Sequence, residues 1–195
     1  VNKRLDGVAR AQVATRLTAI YLMDHKPQQA IDTLRTTQIT GIPDDVGHQR
    51  LLLEARAFAA LKQWDNALDL IGIDDAPDSR QLRADIYWES GNWAIAGQKA
   101  EGLVETRWDD DVPLTLAERQ SVLRAAVAYS LANDQTSLDR LREHFAVKMK
   151  ATPDAAAFNV LSQSIDLHGL PFRDAAAKIA SVDTLENFMK GFRIN

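Results

Sequence analysis

The sequence predicts an all-α protein built as a stack of helical hairpins, and three observations lead to this fold class. An aromatic residue is followed nine positions later by an alanine in three successive pairs, Tyr21 and Ala30, Phe58 and Ala67, and Tyr87 and Ala96. Apolar residues recur with helical periodicity over most of the chain, and no convincing alternating strand pattern is present. Glycine (9) and proline (6) are sparse among the 195 residues. A repeated unit of this kind indicates stacked hairpins, because one pair of helices cannot bury its apolar face alone.

Turn-forming residues divide the first part of the chain into three hairpins. Residues 24–27 separate the first two helices, and residues 40–47, with Gly41 and Pro43, close the first hairpin. The second hairpin turns at residues 62–64 and closes at 73–79, and the third turns at 90–92. Glycine and proline at such points interrupt the helical pattern.

A longer acidic connection, residues 107–115, leads to a fourth, looser hairpin in which Leu138 replaces the alanine nine positions after Tyr129. Thr115 and Glu118 have the spacing of a capping box and predict the start of its first helix. Residues 133–134 predict its turn. Residues 1–150 are therefore expected to form the hairpin repeats.

The remainder, residues 151–195, is expected to form C-terminal helices that cap the stack. Thr152 followed by Pro153 predicts a helix start with proline in the first position. Gly169 and Pro171 are expected to end that helix, and Asp183 and Glu186 have the spacing of another capping box. Two apolar stripes at helical spacing run through this part: Phe158, Leu161 and Ile165, and then Leu185, Phe188, Met189 and Phe192.

Small residues are expected where two helices of a hairpin cross, because only short side chains let the backbones approach closely. The candidates are Ala55, Ala67, Ala84, Ala96 and Ala126. The repeated aromatic residues are expected to fill the space between one hairpin and the next: Tyr21, Phe58, Tyr87 and Tyr129.

This pattern resembles the tetratricopeptide repeat, which places a small residue three positions before an aromatic and an alanine early in the next helix. The best matches are Ala55, Phe58 and Ala67, and Ala84, Tyr87, Gly91 and Ala96. The resemblance covers about residues 11–145 and implies a right-handed α-solenoid of about four hairpins with a C-terminal helical cap. Intervals of 37, 29 and 42 residues (Ala30 to Ala67, Ala67 to Ala96, Tyr87 to Tyr129) depart from the family period of about 34. They imply a short second helix in the second hairpin and an insertion at the acidic connection. The chain also resembles the end of a longer bacterial repeat protein.

Composition disfavours several classes of function. A net charge of −4 and a pI near 5.6 argue against an extended nucleic-acid surface. The absence of cysteine excludes disulfides, thiolate catalysis and cysteine zinc sites, and it leaves the compartment, cytoplasmic or periplasmic, open. No apolar run approaches the roughly 18 residues of a membrane span, so no membrane insertion is expected of this segment.

No motif for catalysis, a cofactor or a metal stands out, and a non-enzymatic protein is expected. The four histidines have no metal-ligand spacing: His25, His48, His144 and His168. Residues 109–111 are acidic but lack the spaced ligands and the glycine of a calcium loop. No serine lies in a nucleophile-elbow motif.

The resemblance implies that the first helix of each hairpin lines a concave face. The positions it maps there are Gln12, Arg16, Gln49, Arg56, Gln81, Asp85, Trp88, Glu89, Gln120 and Arg124. Trp88 directly follows the packing residue Tyr87, so it is expected to project from the face as an anchor for a partner peptide. The alternative is an ordinary solvated surface with Trp88 partly covered by the next hairpin.

The sequence therefore predicts a non-catalytic scaffold that binds a partner peptide or protein subunit on its concave face. A second hypothesis is a structural segment of a larger bacterial envelope or cytoplasmic assembly. Such a segment would act through its convex face or its tail, including homo-oligomerisation through the C-terminal helix. RNA binding by helical repeats is a third hypothesis, and the acidic balance weighs against it.

Overall fold

The computed structural model describes residues 7–163 and the separate positions Phe172, Ala176, Ile179, Ala180 and Met189. All regular structure in this part of the chain is helical, which confirms the all-α class. The α-helices are α1 (Gly7–Met23), α2 (Pro27–Thr36), α3 (Asp44–Ala60), α4 (Trp64–Ile71), α5 (Pro77–Glu89), α6 (Trp93–Gly102), α7 (Leu116–Leu131), α8 (Gln135–Lys150) and α9 (Ala155–Leu161). A short 3-10 helix, Arg107–Asp109, lies between α6 and α7.

The chain divides into two compact units. Unit 1 comprises residues 1–86 together with 183–195, and unit 2 comprises residues 87–182. The division falls within α5, and each unit has a hydrophobic core of its own.

In unit 1, consecutive helices pack against one another and small residues lie at their contacts. α1 packs on α2 and α3, and α3 packs on α4. Two buried clusters result, one from α1 to α3 and the other from α3 to α5, and Phe58 packs against both. Ala55, Ala67 and Ala84 are at most 1% exposed, as expected of residues where helices cross. Phe58 therefore lies between the two clusters, where the repeat predicted an aromatic ring.

In unit 2, α7 packs on α6, α8 and α9 around one large apolar cluster. Tyr129 is fully buried, and its ring lies directly over Gly97 of α6. A Cβ atom at Gly97 would lie 2.6 Å from the Tyr129 ring, so α6 and α7 approach closely only because residue 97 lacks a side chain. Phe158 and Leu161 of α9 are buried in the same cluster, and Phe172 and Ile179 pack against it.

The four hairpin turns share one backbone hydrogen-bond pattern. In each, the carbonyl of the repeated aromatic accepts from the N–H five positions later, with N···O distances of 2.8 to 3.1 Å. The carbonyl of that fifth residue accepts a hydrogen bond from the N–H four positions further on. That N–H belongs to the repeated alanine in the first three turns and to Leu138 in the fourth. The residue before the fifth position has a left-handed backbone in every turn: His25 (φ 53°), Lys62 (φ 59°), Gly91 (φ 73°) and Asn133 (φ 58°). A left-handed residue with a hydrogen bond back to the preceding turn ends many helices. The first bond spans five positions and the second spans four, which together give the nine-residue interval seen in the sequence.

Several sequence expectations about helix ends are confirmed. The capping box is formed: Glu118 N–H donates to Thr115 Oγ1 at 3.3 Å, and Thr115 N–H donates to Glu118 Oε2 at 2.6 Å. α4, with 8 residues, is the short second helix expected in the second hairpin. The expected insertion occupies the connection between α6 and α7 and includes the 3-10 helix Arg107–Asp109.

Two expectations about proline were wrong. α9 begins at Ala155 after Asp154, so Pro153 lies in the preceding turn rather than in the first position of the helix. Pro77 lies in the range 73–79 that was expected to connect the second and third hairpins, but it is the first residue of α5. The expected helix end at Gly169 and Pro171 and the expected capping box at Asp183 and Glu186 lie outside the described residues.

We expect Lys62→Gly to raise the free energy of unfolding by about 0.5–1 kcal/mol, because glycine adopts the left-handed backbone without the steric cost of a Cβ atom. The matched control is Lys99→Gly, also at an exposed lysine but inside α6, which should lower stability by about the same amount. Urea denaturation followed by circular dichroism measures both. Equal losses for the two variants would contradict the role assigned to the turn.

We expect Gly97→Ala to destabilise unit 2 by about 1–3 kcal/mol, because the added methyl group must displace the buried Tyr129 ring. Gly102→Ala is the control on the same helix, since a Cβ atom there meets nothing within 4 Å. That control should be neutral or mildly stabilising by helix propensity. Thermal and urea unfolding of the two variants would be compared, and a neutral Gly97→Ala would disprove the close approach.

Candidate protein-binding surfaces

Unit 1 contains a cavity of about 570 Å³ between α2 and α4, which we name the α2–α4 groove. Three helices, α2, α3 and α4, contribute lining residues that are three or four positions apart along each helix. One face of each helix therefore lines the groove. The lining residues are Gln28, Ile31 and Arg35 from α2, Glu54, Phe58 and Leu61 from α3 and its end, and Gln63, Asn66, Asp69 and Leu70 from α4 and the turn before it.

The α2–α4 groove combines apolar and polar side chains. Its apolar members are the buried Ile31 and the half-buried Phe58, Leu61 and Leu70. Its exposed polar members are the amides of Gln28, Gln63 and Asn66, together with Arg35 and the carboxylate of Asp69. A concave site with an apolar lining and a few polar groups is the usual form of a ligand or peptide site.

The charges around the α2–α4 groove are only partly balanced. Arg35 Nε lies 3.8 Å from Glu54 Oε1, and the Arg35 guanidinium carbon lies 5.8 Å from the centre of the Phe58 ring. Asp69 is exposed and forms no ion pair with any residue in the described part of the chain. The α4 wall of the groove therefore presents an exposed carboxylate that no described residue neutralises.

A buried arginine holds the α2 wall in place. Arg50 of α3 is 8% exposed and donates to the Leu34 carbonyl at 2.6 Å and to Thr37 Oγ1 at 3.2 Å. It also donates to Ala11 O and Thr15 Oγ1 of α1 at 3.2 and 3.3 Å. Burial lowers the pKa of Arg50, and the nearby Glu54 charge opposes that shift. Because its hydrogen-bond acceptors are uncharged, Arg50 joins three helices by charge–dipole hydrogen bonds.

The residues predicted for a concave face differ in how accessible they are. In unit 1, Arg16, Gln49 and Gln81 are exposed, whereas Arg56 and Asp85 are 5% and 3% exposed. Gln81 Nε2 donates to Asp85 Oδ1 at 3.2 Å along one turn of α5. Arg56 and Asp85 therefore contribute mainly to the interior of the unit. Gln12 of α1 and Gln120 of α7 are exposed.

The expectation that Trp88 projects from its face was wrong. Trp88 is 7% exposed and belongs to the buried cluster of unit 2. Its ring meets Trp93 edge to face at a centroid distance of 5.3 Å, and the Arg124 guanidinium carbon lies 4.9 Å above it. Half-buried Arg124 thus covers the indole, and Glu89 is also half-buried.

None of the α2–α4 groove residues was among the residues predicted to bind a partner. The prediction placed the site on the first helices, whereas two of the three groove elements are the second helices α2 and α4. The helical spacing of Gln28, Ile31 and Arg35 shows in the sequence that they share a face. The space between α2 and α4 depends on how separate helices pack, and no pattern within one stretch of the sequence predicts it.

A second polar cluster lies in unit 2 around Tyr129. The Tyr129 hydroxyl donates to Glu101 Oε2 at 2.5 Å, and Arg140 donates to the same oxygen at 2.8 Å. His144 stacks on Trp108 with centroids 4.3 Å apart. Burial and the Glu101 hydrogen bond raise the pKa of Tyr129, and the same carboxylate raises the pKa of Arg140. The phenol is therefore a stable hydrogen-bond donor at neutral pH, which suits a structural role.

Within the described residues, no group of three histidine, cysteine, aspartate or glutamate side chains is arranged to hold a metal ion. Among the helices described, none has both the length and the apolar composition that a membrane crossing requires.

We expect the stability of unit 2 to fall at alkaline pH because the folded state raises the pKa of Tyr129. An unfolded tyrosine ionises near pH ~10, so this contribution is complete below that pH and is lost as the pH rises through the folded pKa. Tyr129→Phe should cost about 1 kcal/mol at neutral pH and remove this part of the alkaline decline.

Urea denaturation over a pH series tests this, with Tyr87→Phe as the control because that tyrosine has no carboxylate partner in the described part of the chain. Parallel alkaline declines for the wild type and Tyr129→Phe would show that the buried phenol does not contribute.

Comparisons with known proteins give no family assignment. No family model matches the chain, and neither a curated protein nor a solved structure matches it.

Proposed function

We propose that this chain is a non-catalytic protein-binding scaffold, a right-handed α-solenoid of tetratricopeptide-like hairpins that holds a partner peptide or subunit. Four turns with one hydrogen-bond pattern at one offset support the repeat. The observation that carries the binding function is the α2–α4 groove, a cavity of about 570 Å³ with an apolar lining and amide side chains on both walls.

The groove chemistry suits a protein partner. Side-chain amides both donate and accept hydrogen bonds, so Gln28, Gln63 and Asn66 can pair with polar groups of many kinds. Their existing side-chain bonds, from Gln28 to Asp32 at 3.0 Å and from Asn66 to Gln63 at 3.1 Å, stay within or next to their own helices. Phe58, Ile31 and Leu70 supply the apolar contact that gives affinity.

The position of the groove also favours a specific form of the second hypothesis. In the resembled family the first helices line the concave face, so a groove walled by α2 and α4 would open on the convex side. Assembly onto a subunit of a larger bacterial complex through that side is the second candidate function. The exposed residues Arg16, Gln49 and Gln81 remain the candidates for a concave surface.

The test is to block the groove without disturbing the fold. Asn66→Trp places a large ring at an exposed groove position, and Asp65→Trp places the same ring at the neighbouring exposed position outside the lining. After capture and identification of a partner with the wild type, titration should show at least about tenfold weaker binding for Asn66→Trp alone. Circular dichroism should show equal helicity for both variants.

If the partner bound Asn66→Trp as tightly as the wild type, the α2–α4 groove would not be its binding surface. If Arg16→Ala and Gln49→Ala then weakened binding, the exposed face of the first helices in unit 1 would be the binding surface. If no protein partner were captured by any form of the chain, the scaffold function itself would be disproved.

A further inference from the structure

We propose that the α2–α4 groove selects a protein partner of one chemistry: a segment with a large apolar side chain beside a lysine or arginine, whose basic group pairs with Asp69. This assignment rests on the proposed function and names the kind of partner that the groove accepts.

The two ends of the α2–α4 groove differ chemically because α2 and α4 both run antiparallel to α3. The tight turn after α3 reverses the chain, so Asp69, near the end of α4, lies beside the middle of α3. The end of α2 meets the same part of α3, where Arg35 Nε is 3.8 Å from Glu54 Oε1. Gln28 and Gln63 lie at the opposite end, since seven positions along α2 separate Gln28 from Arg35 by about 10 Å. The charged side chains therefore share one end, which we name the ionic end.

The ionic end has an excess of negative charge. Arg35 is the only basic side chain among the lining residues, and it is already engaged by Glu54 and by the face of the Phe58 ring. Asp69 is exposed, and no described residue neutralises it. A basic group on a partner would complement Asp69, whereas an acidic group would bring a third carboxylate to this end.

The position of Asp69 in α4 does not favour the helix itself. α4 ends at Ile71, and its last turn contains no basic residue. The C-terminal end of a helix carries partial negative charge, so a carboxylate in the last turn is unfavourable there. Asp65, in the first turn of the same helix, has the favourable placement. The Asp69 carboxylate therefore contributes to the charge of the groove rather than to the stability of α4.

The middle of the groove supplies the apolar contact. Phe58 and Leu70 are half-buried, so a partner side chain that covers them removes further apolar area from water. Asn66 lies one helical turn before Leu70, on the same wall as Asp69. The apolar contact and the carboxylate are thus about one helical turn apart, which places the basic residue of a partner within about four positions of its apolar residue.

The first experiment selects phage-displayed random dodecapeptides against the full chain. Peptides enriched by the wild type and lost against Asn66→Trp are those that bind the groove. They should carry a lysine or arginine within about four positions of a large apolar residue. Selection against Asp69→Lys should enrich aspartate or glutamate at that place instead, whereas selection against the matched Asp65→Lys should enrich the basic peptides as before.

The second experiment titrates the strongest of these groove-binding peptides, synthesised with its basic residue or with glutamine in its place. Asp69→Asn should weaken binding of the basic peptide about two- to fivefold, which is the range of an exposed ion pair, and should leave the glutamine peptide unaffected. Asp65→Asn should change neither affinity. Added salt should reduce the difference between the two peptides. Thermal unfolding should show that Asp69→Asn and Asp69→Lys do not lower Tm, because Asp69 does not stabilise α4.

The outcomes separate this assignment from the proposed function. If groove-binding peptides showed no charge preference, or stayed basic against Asp69→Lys, the pairing with Asp69 would be disproved while the groove remained a binding surface. If no enriched peptide were lost against Asn66→Trp, both the pairing and the groove as a peptide site would be disproved. A wild-type dimer in light scattering that Asn66→Trp converts to a monomer, and Asp65→Trp does not, would also overturn the assignment, because a second copy would then fill the groove.

Discussion

The structure depends first on a backbone hydrogen bond from the fifth residue after each repeated aromatic to that aromatic's carbonyl. This bond ends the first helix of a hairpin, and the carbonyl of the donating residue accepts the first hydrogen bond of the second helix, from the N–H four positions later. The number of residues between the end of the first helix and the start of the second is thus fixed. The repeated alanine is therefore the fourth residue of α2, α4 and α6. The aromatic ring and the alanine are then placed where neighbouring helices meet, and both cores follow from that placement.

The candidate site follows from the same geometry with one addition. α4 is short, and α2 and α4 both lie against α3, so space remains between them. Arg50 keeps that space open on one side by fastening the C-terminal end of α2 to α1 and α3. A buried guanidinium that satisfies backbone carbonyls is costly to replace, because its loss leaves buried acceptors without donors. The groove therefore depends on the packing of α1, α2 and α3 that Arg50 fixes.

Backbone-encoded features were predictable from sequence, and features set by packing between distant residues were not. The repeated aromatic and alanine, the Thr115–Glu118 capping box and the short α4 all follow from local rules about helix ends. Trp88 was assigned wrongly because helical offset alone cannot show that Trp93 and Arg124 cover it. Pro153 was assigned wrongly because a turn tolerates proline as well as a first helical position does. The groove was missed because its three faces come from separate helices.

The kinds of bond that hold each unit imply different responses to ionic strength. Arg50 in unit 1 binds uncharged oxygens inside the protein, where dissolved ions screen little. In unit 2 the connection before α7 is fixed by ion pairs nearer the surface, from Arg107 to Glu118 at 2.7 Å and from Lys148 to Asp110. Added salt weakens these half-buried ion pairs before it affects the buried Arg50 bonds to uncharged oxygens. Concentrated electrolyte should thus loosen the acidic connection while the junction of the first three helices stays tight.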